Sequence, residues 1–290
     1  MDMIMSLVSR HNKVFTRNRM LVFFSMLSVL IVIALYAIFL QKTQLDSIEQ
    51  FMPVTPGIKQ MVNEWMVAGL LSIIAVTTTL GVFGIYVKDL ETKTTADFLT
   101  TAASRAKIQV SYVISALLIG FMMTMLAFIC CEIFLVATGG ELLSWYATIK
   151  IIGILLLAVI LSSTLNLFLV LFVKTQNAFS TLNTIIGTAI GFLCGVYVPM
   201  GALPSYVQSM IHYFPISHTT VLLRDAFMAD SIQNVFKGNE AFAENYMLQY
   251  GIIYEINGTV ISNISSVLLI VGTIMVVGVV AIIIFSRKHK

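Results

Sequence analysis

Six stretches of this chain stay apolar for about the 20 residues that a helix needs to cross a bilayer. They run from Met20 to Leu40, Trp65 to Val87, Ile108 to about Thr138, Ile151 to Val173, Ala178 to Val198, and Ile261 to Phe285. The second is 23 residues without a charge, and only the third contains one, Glu132. Continuous apolar runs predict helices, because barrel strands would read as short alternating segments. Between the second and third runs lies a polar, helix-prone loop, 88–107, which both flanking spans pin at one membrane face. Before the first run, Ile4, Leu7, Val8, Val14 and Phe15 fall on one helical face and Arg10, Lys13 and Arg17 elsewhere. That pattern predicts a basic amphipathic helix over 1–19, lying in the interface.

Pro199 to Thr259 breaks the pattern. Pro204 and Pro215 punctuate two short apolar pieces, Tyr206–Ile211 and Val221–Leu223, neither long enough to span. Such pieces are expected to be re-entrant or interfacial, buried where their ends find partners. The polar stretch Ala229–Gly258 reads as an outer cap, and Asn257-Gly258-Thr259 matches a glycosylation acceptor.

Composition agrees: 58% of the 290 residues are hydrophobic and 11% charged, against about 25% charged in soluble domains. The fold class expected is all-α and polytopic, one transmembrane domain over 1–290. Positive residues set the orientation. Twelve of the seventeen Lys and Arg share one side if both termini do, which predicts both termini cytoplasmic. Cys130, Cys131 and Cys194 fall inside spans and read as small packing residues.

Several polar or small residues stand out within the apolar runs. Gly187, Gly191 and Gly195 form a small-residue stripe for close helix packing, within the chain or between subunits. Thr77, Thr78, Thr79, Asn166 and Asn183 either line a path or bond back to their own helices. Glu132 is the ionisable candidate inside a span. His212 and His218 are six residues apart with Pro215 between, a poor metal spacing, and Arg224 beside Asp225 suggests local ion pairs. No G-x-x-x-x-G-K-[ST] loop occurs, so ATP is not bound here by that device.

The order of these parts resembles the membrane subunit of type-2 ABC exporters. The loop ETKTTADFLTTAASR is similar to that family's acidic-x-Gly-Thr-x-x-x-Leu-Leu-x-Thr-Pro-x-x-Arg pattern, with Glu91, Thr94, Phe98, Leu99, Thr101 and Arg105 in matching places. Lys93 stands where Gly is common and Ala102 where Pro is common. The stretch VPMGALPSYVQSMIHYFPISHTTVLLRDAF is similar to the family's outer helices, carried by Pro204, Pro215 and Arg224. The resemblance implies a permease without enzymatic activity of its own, located in a cell membrane, taken as a bacterial plasma membrane. Its partners would be a separate ATP-binding cassette subunit carrying ATP and Mg, a second permease subunit of the same or a different chain, and membrane lipid, with no nucleic acid. It further implies that Glu91, Thr94, Asp97, Phe98, Leu99 and Arg105 couple to the ATPase, and that Pro204, Pro215 and Arg224 belong to an outer gate. Thr78, Asn166 and Asn183 are the candidate substrate path. An uncharged cavity suits an amphipathic or hydrophobic cargo such as a drug, lipid-linked compound or peptide. Two other classes remain open: a membrane-embedded enzyme using Glu132, His212 and His218, and a peptide-sensing or immunity protein that transports nothing.

Overall fold

The computed structural model describes residues 3–49, 53–100, 104–256 and 258–288. The expectations placed on Thr101, Ala102, Asn257 and the side chain of Leu99 lie outside the described residues. The chain is all-α. In order, it forms α1 (Met3–Arg17), α2 (Arg19–Leu35), α3 (Gln41–Glu49), α4 (Pro56–Glu91), α5 (Thr94–Leu99), α6 (Arg105–Ala137), α7 (Trp145–Val170), α8 (Gln176–Leu193), α9 (Ser205–His212), α10 (Pro215–Val235), α11 (Glu240–Gln249) and α12 (Asn263–Lys288). A π-helical turn, Tyr36–Leu40, joins α2 to α3 in one continuous helical run, and a two-residue antiparallel hairpin, β1 (Glu255–Ile256) with β2 (Thr259–Val260), precedes α12. Among the described residues, α4, α6, α7 and α12 are long and apolar enough to cross a membrane.

Local chemistry sets the helix starts. Thr55, Ser104, Ser144 and Thr175 each accept a backbone N–H from three residues ahead, capping α4, α6, α7 and α8. Each cap satisfies a donor that the first helical turn leaves unpaired. Pro56 and Pro215 begin α4 and α10, where a missing N–H costs nothing.

α4 is the axle of the bundle. Its residues are apolar on every side, and α6, α7, α8 and α10 pack around it, so it is buried along nearly its whole length. Close approach depends on glycines that the sequence pattern does not single out. A Cβ on Gly84 would meet the Phe179 ring at 2.8 Å, and one on Gly120 would meet Thr79 at 2.5 Å. Asn166 on α7 reaches across to α4, donating to the Val76 carbonyl and to Thr79 Oγ1, both at 2.9 Å. A buried polar bond of this kind fixes the register of two helices in an otherwise non-directional apolar contact.

The stripe Gly187-x-x-x-Gly191-x-x-x-Gly195 is not a continuous helical surface. α8 stops at Leu193, and Gly195 is left-handed at φ 59°. The Val196 N–H bonds the Gly191 carbonyl and the Gly195 N–H bonds that of Phe192, which closes the helix as a Schellman turn. A Cβ on Gly191 would lie 2.2 Å from the ring of Tyr197 in the same chain, while Gly187 faces open space. The same turn ends α11: the N–H groups of Ile252 and Gly251 bond Met247 and Leu248, with Gly251 at φ 62°.

Arg224 on α10 ties these two helix ends together. It is 1% exposed and donates to the carbonyls of Gly195 (2.7 Å), Tyr250 and Gly251 (both 3.1 Å). Its guanidinium lies 4.4 Å from the ring centre of Trp65 on α4, whose indole N–H also bonds the Tyr250 carbonyl. The expected local pairing with Asp225 is corrected: Asp225 instead bonds Lys150 and Asn263, on α7 and α12. The buried cation is stabilised by carbonyls at the negative ends of two helix dipoles. Arg224→Lys replaces a planar fork with a point donor and leaves carbonyls unpaired at about 1.5–3 kcal/mol per charged hydrogen bond. The variant is expected to unfold at lower temperature in detergent, measured by a thermal scan of the purified chain. Asp225→Asn, half-exposed, is expected to shift the midpoint far less.

Candidate functional site

At the opposite end of α4, a second polar cluster is assembled from four helices. Asp89, 5% exposed, accepts a two-pronged hydrogen bond from Arg10 on α1 and a 2.6 Å bond from the Tyr112 hydroxyl on α6. His11 stacks on Tyr112 at 4.0 Å between ring centres and shares a 3.1 Å hydrogen bond with Ser111. Val8 and Phe15 bury beside them. The amphipathic helix expected to lie in the interface is therefore also docked on α6 through its buried face. Arg10 closes the cluster from above: its guanidinium sits 5.1 Å from the ring centre of Phe98 on α5.

The loop expected over 88–107 has a defined form. α4 ends at Glu91, Lys93 turns the chain with φ 62° and ψ 9°, and α5 follows for six residues. The position where the family pattern has Gly is thus left-handed, and a lysine occupies it. Glu91 accepts the N–H of Gln176, the first residue of α8, while the Gln176 side chain bonds the Gly84 carbonyl. Thr94 bonds Thr92 through their hydroxyls at 2.9 Å. Phe98 is half-buried against the α1 side of the core, whereas Asp97 and Arg105 are exposed. Of the six expected coupling residues, Phe98 and Thr94 are half-buried, Glu91, Asp97 and Arg105 are exposed, and the side chain of Leu99 lies outside the described residues; Lys93 and Ala96 are exposed beside them.

A cavity of about 650 Å³ opens alongside α4, walled by α2 and α8 and floored by Phe15. Thr77, Thr78, Asn183, Gly187 and Tyr197 line it among Leu70, Ile73 and Ile74. Thr77 and Thr78 return their hydroxyl protons to the carbonyls of Ile73 and Ile74, so their oxygens still have acceptor capacity. Asn166, expected in the same path, is instead 2% exposed between α4 and α7, with its amide nitrogen committed to the clamp described above.

At the far end, Pro204 caps α9, Pro215 starts α10, and Arg224 sits in its carbonyl cage. His212 and His218 both pack on Tyr254 and line one small pocket. His218 has both nitrogens engaged, with Ser266 and with the His212 carbonyl. Glu132, half-buried near the end of α6, is not among that pocket's lining residues, so the three groups of an enzymatic reading do not converge there. No group of three or more His, Cys, Asp or Glu able to hold a metal ion occurs among the described residues.

Sequence reasoning missed Asp89, His11 and Tyr112. The available signal was a carboxylate two residues beyond an uncharged span, matched by the basic residues of the amphipathic helix.

Burial pushes His11 down to about 4, reinforced by the Arg10 charge and partly opposed by Asp89. The docked state therefore favours the neutral ring. Its contribution to docking is intact above the unfolded value of about 6.5 and is lost as pH falls from there toward 4. A spin label at exposed Thr16 is expected to gain mobility between pH 7 and 4.5, and His11→Phe is expected to reduce that change. Lys93 tests the turn. A left-handed L-residue costs about 1–2 kcal/mol, so Lys93→Gly is expected to raise the thermal midpoint slightly and Lys93→Val to lower it.

A comparison with protein families places residues 3–228 within the family described as ABC-2 type transporter. A comparison with curated proteins gives no match.

Proposed function

The chain belongs to the ABC-2 type transporter family, and from that premise we propose that it is the permease of an ATP-driven exporter of amphipathic or hydrophobic molecules. ATP and Mg are bound by a separate ATP-binding cassette subunit, and two permeases complete the pathway. The termini and α5 face the cytoplasm of a cell membrane, and α9–α11 face outward.

The observation that carries this reading is the cavity beside α4. It is mostly apolar, with a few uncharged hydroxyl and amide groups at one wall. Such a surface accepts a molecule with a large apolar body and a small polar part. It is partly open to the outside, so a second permease facing it would complete an enclosure. Thr77, Thr78 and Asn183 orient cargo; Asn166 holds α4 against α7 and acts on the path only by keeping its wall in place.

Coupling runs through α5. The ATP-binding subunit grips the exposed charged surface of Lys93, Asp97 and Arg105. Phe98, inserted under Arg10, passes the movement to α1 and through Asp89 to α4. Glu91 carries it in parallel to the start of α8, which is the opposite wall of the cavity. A partner shifts the inward–outward equilibrium only by binding the two states differently, so its hold on α5 must change with its nucleotide. The far end closes by movement of α9 between Pro204 and Pro215, with α10 and its Arg224 cage as the fixed support.

The test is a double substitution, Phe98→Ala with Leu99→Ala. Fully burying an apolar side chain of this size is worth about 1.5–3 kcal/mol, and Phe98 is half-buried. The variant is expected to reach the membrane, to retain at least tenfold less of the copurifying ATPase, and to lose resistance to amphipathic compounds. Asp97→Asn, at an exposed rim where a charge pair is worth roughly 0–1 kcal/mol, is expected to have a mild effect. A double variant that expresses, keeps its ATPase and exports normally would overturn the coupling assignment. A chain that purifies without any ATPase would overturn the exporter reading itself.

A further inference from the structure

The side of α1 turned away from the bundle carries a groove in which, apart from Arg10, no residue takes part in docking or in the proposed coupling. Ser6, Ser9, Arg10, Lys13, Val14 and Arg17 line this groove of about 370 Å³. Ser6, Ser9, Arg10, Lys13 and Arg17 recur at three- and four-residue spacing, so they lie along one side of the helix. Lys13 and Arg17 are exposed and have no carboxylate partner among the described residues; Arg10 forms the groove wall with its terminal nitrogens held by Asp89. Two exposed cations, two hydroxyls and the Arg10 wall thus line one concave surface.

We propose that this groove binds the phosphate of an anionic phospholipid headgroup. Charge and donor geometry call for a phosphate: Lys13 and Arg17 are one helical turn, about 6 Å, apart and can take different oxygens, with the serine hydroxyls at the other end. The surroundings select a lipid over a free anion. Val14, which lines the groove, is 39% exposed, and Met5, one turn before Ser9 on the same helix, is 58% exposed. A soluble phosphate gains nothing from them, whereas acyl chains cover them at the depth where an amphipathic helix rests. The groove also explains why α1 keeps two unpaired cations while its third is committed inward. Arg10 belongs to both surfaces, so headgroup binding and the Asp89 cluster hold α1 from opposite sides. The proposal is independent of which cargo the cavity accepts.

The experiment uses the full-length chain, reconstituted in discs of phosphatidylcholine with a minority of phosphatidylglycerol. Lipid kept after mild detergent extraction is quantified by mass spectrometry. Each basic residue near an anionic surface contributes about 1 kcal/mol. Lys13→Gln with Arg17→Gln is therefore expected to lower the preference for phosphatidylglycerol roughly thirtyfold, at 1.4 kcal/mol per tenfold. Lys13→Arg with Arg17→Lys, which keeps both charges, is expected to retain most of the preference and serves as the folding control. Equal retention of phosphatidylglycerol by the Gln variant and the wild type would overturn the site. Inorganic phosphate that slows hydrogen exchange of α1 in pure phosphatidylcholine as well as phosphatidylglycerol does would overturn the lipid assignment in favour of a free anion. Loss of a bound ATPase by the Gln variant, with lipid retention unchanged, would assign the groove to protein and overturn the proposal.

Discussion

A carboxylate left at the end of a buried helix must be neutralised where water is scarce, and Asp89 sets the terms on which one end of this protein assembles. Its two oxygens are shared between a guanidinium from α1 and a phenol from α6. Taking charge out of water is costly unless geometry and additional hydrogen bonds compensate. The two-pronged Arg10 contact and the Tyr112 bond supply that geometry. In satisfying Asp89, the chain also fixes where α1 lies, which side of α5 is covered, and how α6 leaves the turn. Three elements separated in sequence are aligned by one side chain.

The other end solves the mirror problem, a buried cation, by different means. Among the described residues Arg224 pairs with no carboxylate; it is surrounded by carbonyls that two helices expose as they end. The left-handed glycines that end α8 and α11 aim those carbonyls, and a side chain at Gly251 would press within 3.2 Å of the guanidinium. Between the two ends, order comes from steric fit and from a few uncharged bonds, chiefly the Asn166 clamp. Charge is confined to the two ends of α4, and the middle is held by packing in which Gly84 and Gly120 admit their neighbours closely.

The amount legible in the sequence follows from what a sequence pattern encodes. Hydrophobic run length reports burial in lipid, so the long helices stood out, and helical periodicity picked out the apolar side of α1. Periodicity does not report what that side meets. Arg10 and Asp89 are 79 residues apart, and the pattern of one helix carries no record of the other. The glycine stripe was misleading because spacing alone presumes an unbroken helix, whereas Gly195 ends α8 at that point. Asn166 and Asn183 looked equivalent as amides in apolar runs, but one is enclosed between helices and the other lines the cavity, a difference made by neighbours remote in sequence. Lys93 was legible as a departure from a family pattern; its backbone conformation needed the structure.

α4 has 36 residues, about 54 Å at 1.5 Å per residue, against a hydrocarbon core of about 30 Å. It nevertheless has almost no contact with lipid, because neighbouring helices cover it. α12 is the reverse, a long apolar helix largely exposed along one side of the bundle. A thinner or thicker bilayer therefore acts strongly on α12, where mismatch is met by tilt, and that strain passes toward α4 through the α7 and α10 contacts that α12 makes. The axle of the bundle is insulated from the thickness of its solvent, and its peripheral helix absorbs the strain.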